Sequence, residues 1–258
     1  QVAEQQLNAG QFGAAAQAFT ALAAGAQEPA ATELRLQAAL IRVDLREDTT
    51  GLVPDLTLPD PAAESLRTLA VAATLLEAGD AAGASAQLAA LTQGAFNPYL
   101  RGLFLRTLGR TQLARGEAAP SVSNLIAAEA FPMPEGRRGE LSHAIWDAVL
   151  ATGVANVKGT LPADARYAAG WIQLAELYAA HGYDPPAFAT AIAGWQVNHP
   201  EHPAQTLLIA ELLERAEEAA APPTKIALLL PLQGPLAGIG NAIRDGFIAM
   251  RFSGVMNP

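Results

Sequence analysis

Through most of the first 220 positions, apolar residues recur three and four apart, the spacing of one helix face after another. Three stretches repeat the same pattern without gaps. The first runs Leu7, Gly10, Phe12, Ala15, Phe19, Leu22. The second runs Leu76, Gly79, Ala81, Ala84, Leu88, Leu91, and the third Leu113, Gly116, Ala118, Ser121, Leu125, Ala128. Each predicts a helical hairpin. The glycine ends one helix in a left-handed cap. The small residue five places later lets the second helix approach closely, and the bulky positions beyond it continue an apolar face at i, i+4, i+7.

Gly10 and Gly79 stand 69 positions apart, close to twice the ~34-residue tetratricopeptide period, and Gly79 and Gly116 stand 37 apart. Residues 32–46 are helical in period but lack the glycine. The "GLVPDLTLPDP" that follows has too many prolines for a helix. Trp171, Leu174, Ala175 and Tyr178 supply a fourth match, in the W-x-x-L-[GA]-x-x-Y register of a tetratricopeptide first helix, and Pro200 falls near that repeat's terminal proline. An alanine-rich bundle can produce isolated matches of this kind, and four in one register favour a repeat. "AFPMPEGRRGE" predicts a loop, "LSHAIWDAVLA" a helix and "ATGVANVKGTLPADA" a further break. Residues 1–220 are thus expected to form an all-α, tetratricopeptide-like solenoid of ten or eleven helices, stacked in pairs and curved.

The pattern changes at the end. Residues 221–225 are a proline linker, and 226–230 form a continuous apolar run bounded by prolines, the signature of a buried parallel strand. "PLQGPLAGIG" predicts a turn, and from Asn241 the apolar residues Ile243, Phe247 and Met250 return to helical spacing. Residues 226–258 are therefore expected to open an α/β domain with its first βα unit. A phosphate loop is excluded because no lysine follows these glycines, and a dinucleotide fingerprint fails because Ile243 takes the third glycine's place. What remains is the opening of a type I periplasmic-binding-protein-like fold, whose first loop, at Gln233 and Gly234, would line a ligand cleft. Most of that domain is expected to be missing from this chain.

Composition narrows the function classes. Sixteen Lys and Arg face 25 Asp and Glu, a net charge of −9 with no basic stripe, which argues against nucleic acid as a partner. Half of the residues are apolar, enough for a sizeable core, yet no run approaches the ~18 needed for a membrane span. The absence of cysteine removes disulfides, thiolate metal sites and cysteine nucleophiles. A monomer without cofactor is expected.

Candidate chemistry is sparse. His199 and His202 flank Glu201 in "NHPEHP", but Pro200 and Pro203 prevent the helix that would align them as metal ligands, so a rigid turn is the better reading. His143 and His181 are single helix positions. No serine sits in a nucleophile elbow, and no carboxylate pair suggests glycoside hydrolysis. The repeat anchors singled out are Gly10, Phe12, Gly79, Gly116, Trp171, Tyr178 and Trp195, of which Trp171, Tyr178 and Trp195 are read as core positions between stacked helices.

Together, "GWIQLAELY", "WQVNHPEHPA" and "KIALLLPLQGPLAGIGNAIRDGF" resemble the LpoA family of lipoprotein activators of penicillin-binding proteins. The resemblance implies a non-enzymatic regulator of peptidoglycan synthesis at the periplasmic face of the outer membrane, held there by an N-terminal lipid absent from this chain. Its partner would be a class A penicillin-binding protein, contacted mainly through the C-terminal domain, with the helical domain as a spacer and docking arm. A small-ligand sensor acting through the second domain, or a generic tetratricopeptide scaffold, are the alternatives.

Overall fold

A computed structural model of the chain describes residues 1–49, 51–54, 57–91, 96–161, 165–221 and 227–252. The chain divides into two units, Gln1–Ala219 and Ala220–Pro258. The first carries helices α1 (Val2–Asn8), α2 (Phe12–Gly25), α3 (Ala30–Leu45), α4 (Pro61–Glu77), α5 (Ala81–Ala90), α6 (Pro98–Ala114) and α7 (Ala118–Ala128). It continues with α8 (Glu135–Thr152), α9 (Val154–Thr160), α10 (Ala168–His181), α11 (Pro185–Asn198), α12 (Ala204–Leu207) and α13 (Ile209–Ala220). The second unit carries α14 (Ala237–Phe252).

Local chemistry sets these boundaries. Asp60, Asp80, Asn97 and Asp184 each accept a hydrogen bond from the backbone N–H three residues on, at 2.8–3.2 Å, and Pro61, Pro98 and Pro185 occupy the first helical position behind three of them. At the other ends, Gly10, Gly79 and Gly116 take φ of 74°, 84° and 80°, a left-handed conformation open to glycine at little cost.

Helices adjacent in sequence pack as pairs, α2 with α3, α4 with α5, α6 with α7 and α10 with α11, while α4, α6, α8 and α10 lie side by side in succession. Ala15, Ala84 and Ser121, the small positions of the repeat, are fully buried. Ser121 also donates its hydroxyl to the Gly109 carbonyl at 2.8 Å. Two apolar clusters result. One gathers α1–α6 around Leu36, Leu40, Ile41, Leu69 and Tyr99. The other gathers α7–α13 around Trp146, Trp171, Phe188 and Trp195.

The observed helices differ from the sequence reading in several places. Thirteen lie among the described residues up to 220, rather than ten or eleven. The break expected over 151–165 contains α9. Gly153, with φ of 81°, separates it from α8, and the fully buried Val157 holds it against the core. Helix α8 starts at Glu135, inside the expected loop and directly after Pro134, and the buried Arg137, bonded to the Asp44 carbonyl, anchors its first turn despite Gly136 and Gly139. In the final helix region Leu208, at φ −133°, divides α12 from α13.

The strand expected over 226–230 is not formed over 227–230, and Ile226 lies outside the described residues. A strand persists only when a neighbour pairs its N–H and C=O groups, and the described residues supply no such neighbour. The helix after the turn begins at Ala237, four residues before Asn241. Gly240 therefore sits within the helix, where a Cβ would fall 2.2 Å from the Pro231 carbonyl oxygen. Ile239, Ile243 and Met250 are exposed on α14.

Candidate interaction groove

Helices α4, α6 and α8, lying next to one another, leave a groove of about 830 Å³ on their shared face. Leu76, Gly79, Arg110, Leu113, His143 and Asp147 line it, with Arg46 at the end of α3. Because successive hairpins present their first helix to this side, the groove follows from the repeat itself.

Arg46, Arg110 and Glu140 bring charge to one end of the groove, and Glu77 links them to a buried ion-pair cluster outside the groove's lining. Asp44, at the end of α3, is buried and accepts two bonds from the Arg106 guanidinium, at 3.0 and 2.8 Å, and one from the Tyr99 hydroxyl at 2.8 Å. Arg137 of α8 closes the set. Its Nε donates to the Asp44 carbonyl at 2.8 Å and lies 3.3 Å from the Asp44 carboxylate. Burial opposes the charge on Arg137, but Glu140, Asp44 and Glu77 outweigh it and raise its pKa. Burial and the adjacent Asp44 push the Tyr99 hydroxyl well above its ordinary range. Burial likewise opposes ionisation of Glu77, yet Arg110 at 2.7 Å, together with Arg137 and Arg46, holds its pKa below the usual value. Helices α3, α4, α6 and α8 are thus joined by one ion-pair seam.

Further along, His143 Nδ1 meets the Gly139 carbonyl at 2.8 Å and Nε2 meets Glu211 of α13 at 2.6 Å. With both nitrogens facing acceptors, the doubly protonated ring fits best. The bond to Glu211 raises the His143 pKa, and the same bond lowers that of Glu211.

The anchors named from sequence fall into three places. Phe12 packs against Tyr99, with ring centroids 5.4 Å apart, in the first cluster. Trp171 and Trp195 meet across His202, at 4.8 and 4.9 Å, in the second, and Trp195 donates its indole N–H to the Gly170 carbonyl at 3.0 Å. Tyr178 stands edge-on to both Trp146 and Phe188. Gln233 and Gly234 belong to the second unit, in the exposed turn before α14, where Gly234 has φ of 79°.

His202 is buried within that aromatic cage. Ala204 N–H donates to its Nδ1 at 3.2 Å, which leaves the Nε2 proton for the Tyr167 carbonyl at 3.3 Å and fixes a neutral tautomer. Burial lowers its pKa to about 4. Among the described residues no group of three or more His, Asp or Glu is placed to hold a metal ion. No described helix is long and apolar enough to cross a membrane.

The sequence reading missed the seam and also Glu129, which caps α7 and accepts the Trp171 indole N–H at 3.1 Å. A signal existed for Asp44, a lone carboxylate among Leu40, Ile41 and Val43 on the apolar face of α3. Its partners lie 62 and 93 positions away, beyond any local pattern.

Known proteins were compared with this geometry. Residues 11–257 match the family described as "LppC putative lipoprotein". A penicillin-binding protein activator LpoA of Edwardsiella piscicida is 30% identical over 165 residues, which is 64% of this chain and 23% of that protein. One of Shigella flexneri is 29% identical over 230 residues, 85% of this chain and 33% of that protein. The chain thus spans a third or less of the length of these curated relatives. The crystal structure of the LpoA N-terminal domain from Haemophilus influenzae superposes with a TM-score of 0.57 at 19% identity, over 78% of this chain and 94% of that domain. Full-length LpoA from the same organism superposes with a TM-score of 0.55 at 21% identity, over 90% of this chain and 44% of that protein. At these identities the superpositions establish the helical fold. The match across residues 11–257 establishes more, and the chain belongs to the LppC family of lipoproteins, the family of the LpoA activators.

Proposed function

We propose that this chain is the helical arm, with the opening of the second domain, of a non-enzymatic activator of peptidoglycan synthesis. The family match over residues 11–257, with relatives named penicillin-binding protein activators, carries this reading. Its partner is a bifunctional, class A penicillin-binding protein. The arm acts as a monomeric spacer and docking element on the periplasmic face of the outer membrane, where a lipid anchors the whole protein. The groove along α4, α6 and α8 supports a docking role, since its size suits an extended segment or a helix of a partner. Gln233 and Gly234 would line a ligand cleft once a second lobe faces them.

Titration of the purified chain with a class A penicillin-binding protein tests the proposal. Co-retention on a sizing column and a changed rate of glycan polymerisation are expected. Absence of both would remove the arm from the interaction.

A further inference from the structure

Four guanidinium groups, Arg46, Arg106, Arg110 and Arg137, gather at the charged end of the groove along α4, α6 and α8. They face three carboxylates, Asp44, Glu77 and Glu140. The cluster therefore keeps one positive charge in excess, on a chain whose net charge is −9. Arg106 and Arg137 are buried. Arg46 and Arg110 line the groove, with 58% and 32% of their side chains exposed. The excess is thus presented to solvent by these two.

Their unused donors decide what that charge can hold. Arg110 spends one nitrogen, Nη1, on Glu77 at 2.7 Å. Its Nε and Nη2, the parallel donors of the other edge, have no hydrogen-bond partner among the described residues. Elsewhere in this chain the same Nε–Nη2 edge grips a carboxylate, in Arg67 on Glu64 at 2.8 and 2.6 Å. Such a fork matches a carboxylate, whereas an amide or hydroxyl oxygen uses less of it and a cation is repelled. Arg46 reaches Glu140 at 2.8 Å and Glu77 at 3.5 Å through Nη2. It stands at φ 58°, ψ 33°, a helix end that favours glycine. Its exposed ion pairs are weak and offset little of that backbone cost.

Away from the charged end the groove turns apolar. Leu76, Leu113 and Ala144 line it half-buried, and Ala114 lines it exposed. His143 is engaged by Glu211 and the Gly139 carbonyl. Asp147 stands exposed at the far end, without an ion pair among the described residues, so a second acid would be repelled there. Along α8 the lining runs from Gly139 to Asp147, about 12 Å at ~1.5 Å per residue. That length takes about four residues of extended chain. We propose that the groove docks an extended segment of a partner protein through a single acidic side chain. The free edge of Arg110 clasps that carboxylate beside Arg46, and the apolar residues that follow it lie over Leu76, Leu113 and Ala144. This rests on the docking role given to the groove above and names the chemistry of its occupant.

Fluorescence anisotropy of dye-labelled, C-terminally amidated peptides titrated with the whole chain tests this. The peptides carry the cores ELAL, QLAL, KLAL and ELAE between glycine–serine flanks. ELAL is expected to bind, QLAL and KLAL at least about tenfold more weakly, and ELAE about threefold more weakly because of Asp147. Arg110→Lys keeps a cation beside Glu77 but has no planar fork, and should weaken ELAL by at least about fivefold. Ala114→Trp fills the groove without touching a charged group and should block ELAL independently. Arg46→Gly relaxes the left-handed helix end and should still weaken ELAL about threefold, which a purely structural arginine would not do. Equal binding of ELAL and QLAL, or undiminished binding by Arg110→Lys and Ala114→Trp, would overturn the proposal. So would tighter binding of a peptide whose sole carboxylate is its C-terminus, or no binding at chain concentrations on the order of 1 mM. Failure of the peptides beside intact retention of a class A penicillin-binding protein strikes this inference and leaves the docking role standing. Binding of ELAL without such retention strikes that partner and leaves the chemistry of the groove standing.

Discussion

The two apolar clusters of the first unit solve the same packing problem with different side chains. Around α1–α6 the interior is mostly alanine and leucine, with Phe12, Phe19, Tyr99 and Phe104 filling the remaining space. Alanines such as Ala15, Ala70 and Ala72 bring helices close, and the repeat spacing alone fixes which faces meet. Around α7–α13 the interior is built on three tryptophans with His202 between two of them. There the large rings have polar edges, and Trp195 and Trp171 each need a specific acceptor, the Gly170 carbonyl and Glu129. Small residues thus give an interior that tolerates drift in sequence, whereas Trp171 and Trp195 are fixed by hydrogen bonds and Trp146 by packing alone among the described residues. The Asp44 seam lies where helices of the two clusters meet, with Arg137 of α8 reaching back to α3.

Breaking that seam gives the largest expected effect. Asp44→Ala leaves Arg106 buried without a carboxylate, while Arg137 keeps Glu140 and Glu77, and loss of one partner of a buried ion pair costs about 3–5 kcal/mol. All three tryptophans lie in the second cluster, so fluorescence follows that cluster while circular dichroism follows both. In the parent chain the two denaturant transitions should coincide. In Asp44→Ala the dichroism midpoint is expected to fall below the fluorescence midpoint, because α3 and α6 lose more than the tryptophan cluster does. Coincident transitions in the variant would show that the clusters fold as one unit without the seam.

The acceptor of Trp171 makes the second cluster sensitive to alkali. The folded-state pKa of Glu129, about 8, lies above its ordinary value of 4.5, so the folded chain binds more protons than the unfolded one between these values. Its protonated form is accommodated fully below the ordinary value, and stability declines as pH rises through the window to about 8. The slope from this one group approaches about 1.4 kcal/mol per pH unit. Glu129→Gln keeps an acceptor for the indole and has no proton to lose. Relative to the variant, the parent should therefore weaken progressively from pH 5 to pH 8 in urea titrations, with little difference at pH 4. Parallel pH profiles would assign Glu129 an ordinary acidity.

What could be read from the sequence divides along the same line. The hairpins of α1–α7 are legible because their determinants are local. Gly10, Gly79 and Gly116 stand where helices end, and Ala15, Ala84 and Ser121 mark the close approach. The aromatic positions of the second cluster were also legible, since Trp171 and Tyr178 keep a repeat register. Their polar partners were not. Glu129 lies 42 positions before Trp171, and His202 is drawn into the cage by a turn whose prolines argued only against a helix. The seam pairs α3 with residues up to 94 positions away, a relation that one chain's periodicity does not encode. In the last stretch, the apolar run over 226–230 has strand composition, but pairing depends on a neighbour absent from the described residues.

Glycine substitutions sharpen the contrast at smaller scale. Gly170 faces His202 so closely that a Cβ would fall 2.3 Å from the ring's Cδ2, and the ring is boxed in by Tyr167, Trp171 and Trp195. Gly170→Ala should destabilise by about 1–3 kcal/mol despite alanine's better helix propensity. Gly194, in α11, has no atom within 4 Å of its Cβ position. Gly194→Ala should stabilise by up to about 1 kcal/mol. Thermal melts of the two variants measure both signs, and a neutral Gly170→Ala would mean that the cage can yield.

The smallest effect is the tie between α8 and α13, where His143 meets Glu211 at the edge of the second cluster. The bond raises the folded-state pKa of His143 above 6.5, so its contribution is complete below that value and is lost as pH rises through the raised pKa. The same bond lowers that of Glu211 below 4.5, so its contribution is complete above that value and is lost as pH falls through the lowered pKa. The tie is therefore fully present between pH 4.5 and pH 6.5 and fades on both sides. Both side chains are more than a third exposed, so solvent screening limits the pair to less than about 1 kcal/mol. A double-mutant cycle of His143→Ala and Glu211→Ala should give a coupling that peaks near pH 5.5 and shrinks in high salt. Because Arg215 also pairs with Glu211, the single Glu211→Ala variant should cost more than His143→Ala, and only the cycle isolates the histidine. A coupling that stays constant from pH 5 to pH 9 would mean that a neutral imidazole makes this bond, and α13 would then be held without regard to pH.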